Sequence, residues 1–331
     1  MEIVDRFVAV DDKCAWPNLT LMPDGAIVAS IFGEPTHGGW EGDAECWASR
    51  DGGQTWKLFG VPAPHEPTTN RMNLAAGLTP GGAFVVLCSG WSLRPPRGEY
   101  RPPHDGKVLL PWVCRSEDGG KTWTHEEGVD VPPQLAYAIP FGDIVPLGDG
   151  RLAVACYSRH AEDRDLISSW VFFSQDDGRT WGDARPIGQN RYTETTLLSL
   201  GGGKLLAAAR TRNPQVLEVF ASDDSGQTWT SRGPASLTNQ IPAHMCLLED
   251  GAVLLTYGVR NEGMLGVCAR LSRDAGETWD APRVLFATER TDGGYPASVQ
   301  LPDGLIVTAY YCKSITMHQR YHMGVVRWRL E

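Results

Sequence analysis

No two cysteines in this chain are spaced C-x-x-C; the eight among its 331 residues stand singly, mostly in apolar runs such as VVLCSG, LAVACYS and GVCARLS. That removes the common zinc and redox motifs and makes buried free thiols in a reducing, cytoplasmic compartment the expectation. The eight histidines are dispersed as well, without metal-ligand spacing, so neither metal nor cofactor is expected. No apolar run reaches membrane length. The opening MEIVDRFVAV lacks the basic stretch and long apolar core of a secretory signal, with export of a processed form left open. A formal net charge of −10 and the want of a basic patch weigh against a nucleic-acid partner.

Turn residues are plentiful instead, with 37 glycines and 23 prolines. Five copies of S-x-D-x-G-x-T-W punctuate the chain: SRDGGQTW from Ser49, SEDGGKTW from Ser116, SQDDGRTW from Ser174, SDDSGQTW from Ser222 and SRDAGETW from Ser272. Aspartate accepting backbone N–H groups beside a permissive glycine makes a rigid hairpin turn. The closing tryptophan carries a large apolar surface to pack on a neighbouring unit. A second repeat runs LMPDGAIV, LTPGGAFV, LGDGRLAV, LGGGKLLA, LEDGAVLL and LPDGLIVT, with its final turn glycine at 25, 82, 150, 203, 251 and 304. The spacings of 57, 68, 53, 48 and 53 residues suit four short strands plus loops. The expectation is an all-β fold, a six-bladed β-propeller forming one domain over residues 1–331. Only five octapeptides accompany six glycine turns, so the apolar run from Ile3 to Val10 is expected to supply the last blade's fourth strand and close the ring.

Both turn types fall on one face, so a site near the central channel is expected on the other. Nine residues before each turn glycine, where an innermost strand begins, stand Trp16, Asn73, Phe141, Glu194, Pro242 and Tyr295. Seven residues after it stand Phe32, Ser89, Tyr157, Arg210, Gly258 and Tyr311, with Arg260 two residues beyond Gly258. The second unit carries a long proline-rich loop, SGWSLRPPRGEYRPPHDGK, which delays its octapeptide aspartate to 36 residues after the turn glycine against 21 to 26 elsewhere. Such a loop is expected to act as a lid on the site face, with Arg101 and His104 as candidate ligand contacts.

The octapeptides resemble the Asp-box of the sialidase superfamily, and the resemblance extends over nearly the whole chain. It implies that a tyrosine opening the last blade is a nucleophile, that a glutamate is its base and that arginines hold a substrate carboxylate. Glu194, Arg210, Arg260 and Tyr295 fall in that order, and DGGYPASVQLPDG is similar to the family's tyrosine-bearing strand. A neutral tyrosine suits a sugar with a carboxylate on its anomeric carbon, which would repel an anionic nucleophile. The proton donor implied by the family is an acid in the first blade's FGEPTHGGWEGDAECW, which offers Glu34, His37, Glu41 and Asp43, with Asp43 preferred and Glu41 second. The resemblance is broken where the family opens its first blade with arginine: this chain has Cys14-Ala15-Trp16-Pro17. Arg71 is a candidate replacement, His37 a further substrate contact, and Trp16 and Trp40 candidate stacking surfaces for a sugar ring. The family's later glutamate has no counterpart in AYYCKSITMHQ.

The expected function is therefore a sialidase-like exo-glycosidase for a terminal acidic sugar, with carbohydrate as its partner. Asp-boxes also occur in propellers without catalysis, so a carbohydrate- or protein-binding module stands beside it. A glycosidase of other sugar specificity, using acids of the first blade or His37, is the third alternative.

Overall fold

The octapeptide folds locally because its own side chains close it. In the computed structural model, which describes residues 1–93, 104–288, 292–313 and 320–330, the Ser49 hydroxyl donates to Asp51 Oδ1 at 2.8 Å and accepts the Gly53 N–H at 2.9 Å. Asp51 accepts the Thr55 N–H at 2.9 Å and the Thr55 hydroxyl at 2.6 Å. The same serine, aspartate and threonine bonds recur in the other four copies. Gly53 turns the chain at φ +84°, a left-handed conformation that glycine adopts without a side-chain clash. Burial raises the Asp51 carboxyl, but hydrogen bonds from Thr55 and Ser49 outweigh it and bring its pKa down to about 2.

Strand β1 (Glu2–Asp11) leads the chain, and β2 (Ala15–Leu21), β3 (Ile27–Phe32), β4 (Ala44–Ser49) and β5 (Lys57–Ala63) make an antiparallel sheet in that order. Then come β6 (Thr69–Leu78), β7 (Phe84–Leu93), β8 (His104–Val108), β9 (Trp112–Ser116), β10 (Thr124–Glu127), β11 (Ile139–Pro146), β12 (Leu152–Arg159), β13 (Ile167–Ser174) and β14 (Gly182–Gly188). Two further sheets are formed by β15 (Tyr192–Gly201), β16 (Lys204–Thr211), β17 (Leu217–Ser222) and β18 (Thr230–Pro234), and by β19 (Ala243–Leu247), β20 (Val253–Asn261), β21 (Met264–Ser272) and β22 (Arg283–Thr288). The last sheet is β23 (Gly293–Gln300), β24 (Ile306–Cys312) and β25 (His322–Arg329), with β1 added at its edge.

The count of six four-stranded blades is corrected by this hydrogen bonding. Among the described residues four sheets are four-stranded blades, while β6 to β14 join in a single nine-stranded sheet. The join is a parallel pairing of Gly142 with Ala75 and Asp143 with Ala76. β11 loses its register with β12 between Phe141 and Val145, which frees backbone groups to bond sideways to β6. Turn spacing reports hairpins; it says nothing of whether two neighbouring innermost strands come close enough to bond.

β1 pairs antiparallel with β25 from Glu2 opposite Arg329 to Asp11 opposite His322. Its Val10 is buried in a cluster with Val307, Ala309 and Val325, so first and last segments share one core. Deleting residues 1–10 is expected to lower the melting temperature of the whole protein by about 10 °C or more, read by calorimetry; an unchanged transition would show that the pairing adds nothing.

The core lies between sheets. Trp181 is buried against Val85 and Leu87 of the preceding unit, the neighbour-packing role expected of the octapeptide tryptophan. All eight cysteines are free thiols. No helix among the described residues is long and apolar enough to cross a membrane.

Candidate active site

The innermost strands bring their first residues together at one end, around a cavity of about 220 Å³. Trp16, Asn73, Phe141, Glu194 and Tyr295 all line it, and in the fifth unit Ala243 does so beside Pro242. The register of the repeat therefore reports the inward position in five of the six units and is off by one residue in the fifth. Two of these residues are held unusually. Trp16 and Tyr295 both have φ +47°, each directly before a proline and at a break in register with the next strand. A bulky side chain at positive φ is strained and persists only where its surroundings enforce it. Gly294, at φ +114°, makes room: a Cβ there would stand 3.1 Å from Gly258 Cα on the adjacent sheet.

Tyr295 donates its hydroxyl to Glu194 Oε1 at 2.7 Å, and Arg210 Nη1 reaches the same oxygen at 3.0 Å and the Tyr295 hydroxyl at 3.3 Å. Burial pushes the Glu194 carboxyl up, but the Arg210 charge and hydrogen bonds outweigh it, so its pKa lies below the usual value and the group is ionised at neutral pH. The Tyr295 phenol is pushed well above its usual value by burial and then by the Glu194 charge, against the pull of Arg210 and Arg260. The arrangement is a neutral hydroxyl with a charged acceptor already in line, able to surrender its proton as its oxygen attacks. The Arg260 guanidinium lies 5.9 Å from the centre of the Tyr295 ring. Arg210 and Arg260 each leave a buried Nε without a hydrogen-bond partner. Arg210 bonds to both the tyrosine and the glutamate, Arg260 faces the tyrosine ring alone, and neither is among the residues lining the cavity.

The remaining expected residues are divided between cavity and periphery. His37 lines the cavity mouth, with its ring edge-on to Trp16 at 4.8 Å and its Nδ1 3.4 Å from Asp292 Oδ1. Asp43 is turned away: its Oδ1 accepts the His65 N–H at 2.7 Å and lies 2.6 Å from His65 Nδ1. Glu41 stands on the other side of that imidazole, 3.6 Å from Nε2. Burial raises the Glu34 carboxyl, whose neighbours are Lys13, Glu45, Asp43 and His65. Arg71 is buried, paired with Glu66 at 2.8 Å, bonded to Leu110 O at 3.0 Å and laid over the Trp112 ring at 3.5 Å. Trp40 is exposed and is not among the lining residues. Arg101 lies outside the described residues, as does the side chain of His104.

Comparison at a single repeat position overlooks the next layer of the channel. Two residues further along each inner strand, the period of a β-strand, stand Asn18, Ala75, Asp143, Thr196, His244 and Ala297. Asn18 donates to Asp143 Oδ1 at 2.8 Å, and His244 Nε2 meets Asp143 Oδ2 at 3.0 Å. Because His244 Nδ1 accepts the Ser298 N–H at 3.2 Å, the imidazole carries its proton on Nε2 and donates it to Asp143. Asp292 also went unpredicted, although it opens the DGGY segment. Among the described residues no group of three or more His, Cys, Asp or Glu is arranged to hold a metal ion.

The family described as BNR repeat-like domain matches residues 99–308, and the BNR/Asp-box repeat matches residues 47–58. A sialidase of Micromonospora viridifaciens is 27% identical over 231 residues, covering 62% of this chain and 35% of that protein, so the chain spans about a third of that relative's length. A protein of unknown function from Dyadobacter fermentans superposes with a TM-score of 0.83 at 22% identity, covering 99% of both chains. Trypanosoma rangeli sialidase in complex with sialic acid superposes at 0.66 with 17% identity, covering 96% of this chain and 55% of that one.

Proposed function

The chain belongs to the BNR repeat-like domain family, and from that premise we propose that it is a sialidase-like exo-glycosidase for a terminal acidic sugar, with Tyr295 as nucleophile and Glu194 as its base. The observation that carries this reading is the 2.7 Å hydrogen bond from the Tyr295 hydroxyl to an ionised Glu194 at the cavity wall. In the first step the phenolic oxygen bonds to the anomeric carbon while its proton passes to Glu194, and the glycosidic bond breaks with its electron pair leaving on the aglycone oxygen. In the second step water displaces the phenolic oxygen, which recovers its proton from Glu194. Two inversions give net retention. Arg210 and Arg260 favour a carboxylate on the same carbon, since guanidinium–carboxylate contacts are strong where water is scarce.

A panel of 4-nitrophenyl glycosides tests the reading: sialosides, uronides, deoxy sugars and neutral hexosides. Turnover confined to acidic sugars is the expected result. One specific observation favours the second reading, a carbohydrate-binding module. Where the family opens its first blade with arginine, Trp16 lines the cavity, joined there by Trp91, Phe141 and Tyr157. An inactive panel together with glycan-array binding would establish that reading instead.

A further inference from the structure

If Tyr295 attacks and Glu194 takes its proton, a third group must protonate the departing oxygen, and it must stand at the mouth, where the aglycone leaves. The acids expected for that task, Asp43 and Glu41, flank His65 and are absent from the cavity lining. His37 occupies the mouth. We propose that the His37 imidazole, oriented by Asp292, is the general acid and base of this site. The inference rests on the Tyr295 and Glu194 reading.

The loop that carries His37 is pinned from below. Buried Asn70 donates to Gly38 O at 3.0 Å, and the Gly39 N–H bonds to the Thr36 hydroxyl at 3.0 Å. Gly38, at φ +72°, lies so close to β6 that a Cβ would come 2.6 Å from the Met72 sulfur. The imidazole thus has a fixed base even though its side chain is 55% exposed. Its ring sits one aromatic layer from the nucleophile, 4.8 Å from Trp16, which is in turn 6.4 Å from Tyr295. Asp292 is built as an acceptor: Tyr311 donates to one oxygen at 2.8 Å and Tyr321 to the other. Burial raises that carboxyl, yet the His37, Tyr321 and Tyr311 contacts outweigh it and hold it well below the usual carboxylate range. An ionised Asp292 facing Nδ1 favours a proton on that nitrogen and orients the ring, leaving Nε2 to exchange a proton with a ligand. The other titratable groups around this pair are Cys14 before β2, Tyr295 at the start of β23, Lys313 after β24 and Arg260 on β20.

The protons balance. Nε2–H passes to the glycosidic oxygen as the bond to the anomeric carbon breaks; in the second half the neutral Nε2 takes a proton from the attacking water, restoring the imidazolium.

The test uses the full chain and two glycosides of whichever acidic sugar the panel shows to be cleaved, 4-nitrophenyl and methyl. A nitrophenolate leaves without a proton and a methoxide does not. His37→Gln is expected to lower kcat/KM about 100-fold or more on the methyl glycoside and only about fivefold or less on the nitrophenyl one. Asp292→Asn should show a weaker form of the same asymmetry, because the ring loses the group that orients it. Should Asp292→Asn fail to fold, His37→Gln carries the test alone. Equal losses on both glycosides in His37→Gln, or the asymmetry in Asp43→Asn instead, would overturn the assignment while leaving Tyr295 standing. A panel in which wild-type protein cleaves no acidic sugar would remove both readings together.

Discussion

Tyr295→Phe is expected to reduce kcat by about 10³-fold or more on an acidic aryl glycoside, with little change in melting temperature or in ligand affinity. The substitution removes one oxygen and leaves the ring, whose contacts with Trp16, Phe141 and Tyr311 keep its place. Glu194 loses one hydrogen bond but retains Arg210 at 3.0 Å, so no buried charge is left without a partner. The loss should be uniform across leaving groups, because the nucleophile acts in bond formation whatever departs. Stopped-flow and steady-state kinetics on two or more aryl glycosides would check this. Wild-type kcat in the variant would end the tyrosine mechanism and leave only the BNR repeat-like fold.

Arg210→Ala should have the second largest effect, in both stability and recognition. Its guanidinium is the charge that keeps the buried Glu194 ionised, and removing one member of such a pair costs about 3–5 kcal/mol. The pH dependence follows from the direction of the shift. In the native protein the Glu194 carboxyl lies below its usual value of 4.5, so its contribution to stability is present above that value and lost as pH falls through the lowered one. Without Arg210 the largest lowering influence is gone, leaving burial opposed only by the smaller hydrogen-bond contributions from Thr193 and Tyr295, and the carboxyl rises. The destabilisation should then be greatest at neutral pH and shrink toward pH 4, where protonation removes the unpaired charge. Melting temperatures at pH 4 and pH 7 decide it, since a difference that is constant with pH would mean the pair is not coupled. KM should rise more for acidic than for neutral substrates, in Arg210→Ala and in Arg260→Ala; equal rises would reject carboxylate recognition.

Which parts of this molecule could be read before folding depends on the range of the forces involved. The octapeptides close on themselves through bonds no more than four residues apart, from Ser49 to Gly53 and from Asp51 to Thr55, so their geometry is contained in their own letters. The glycine hairpins are as local, and each sets the register of the strand before it. That is why counting nine residues back from a turn glycine reaches cavity-lining Trp16, Asn73, Phe141, Glu194 and Tyr295.

The pairing of distant groups was decided only by the tertiary structure. Asp43 and His37 share one loop, and the sequence favours Asp43 as the acid. His65 captures the first, and Asp292, 255 positions away in the chain, faces the second. Arg71 had the charge to replace a missing arginine, yet Glu66 and the Trp112 ring hold it outside the cavity. The joining of β6 to β11 likewise rests on a two-residue contact between strands that no turn connects. Local hydrogen bonds determine the repeat from sequence; which carboxylate meets which cation is settled by packing, because a buried charge goes to the partner that the assembled sheets bring within reach.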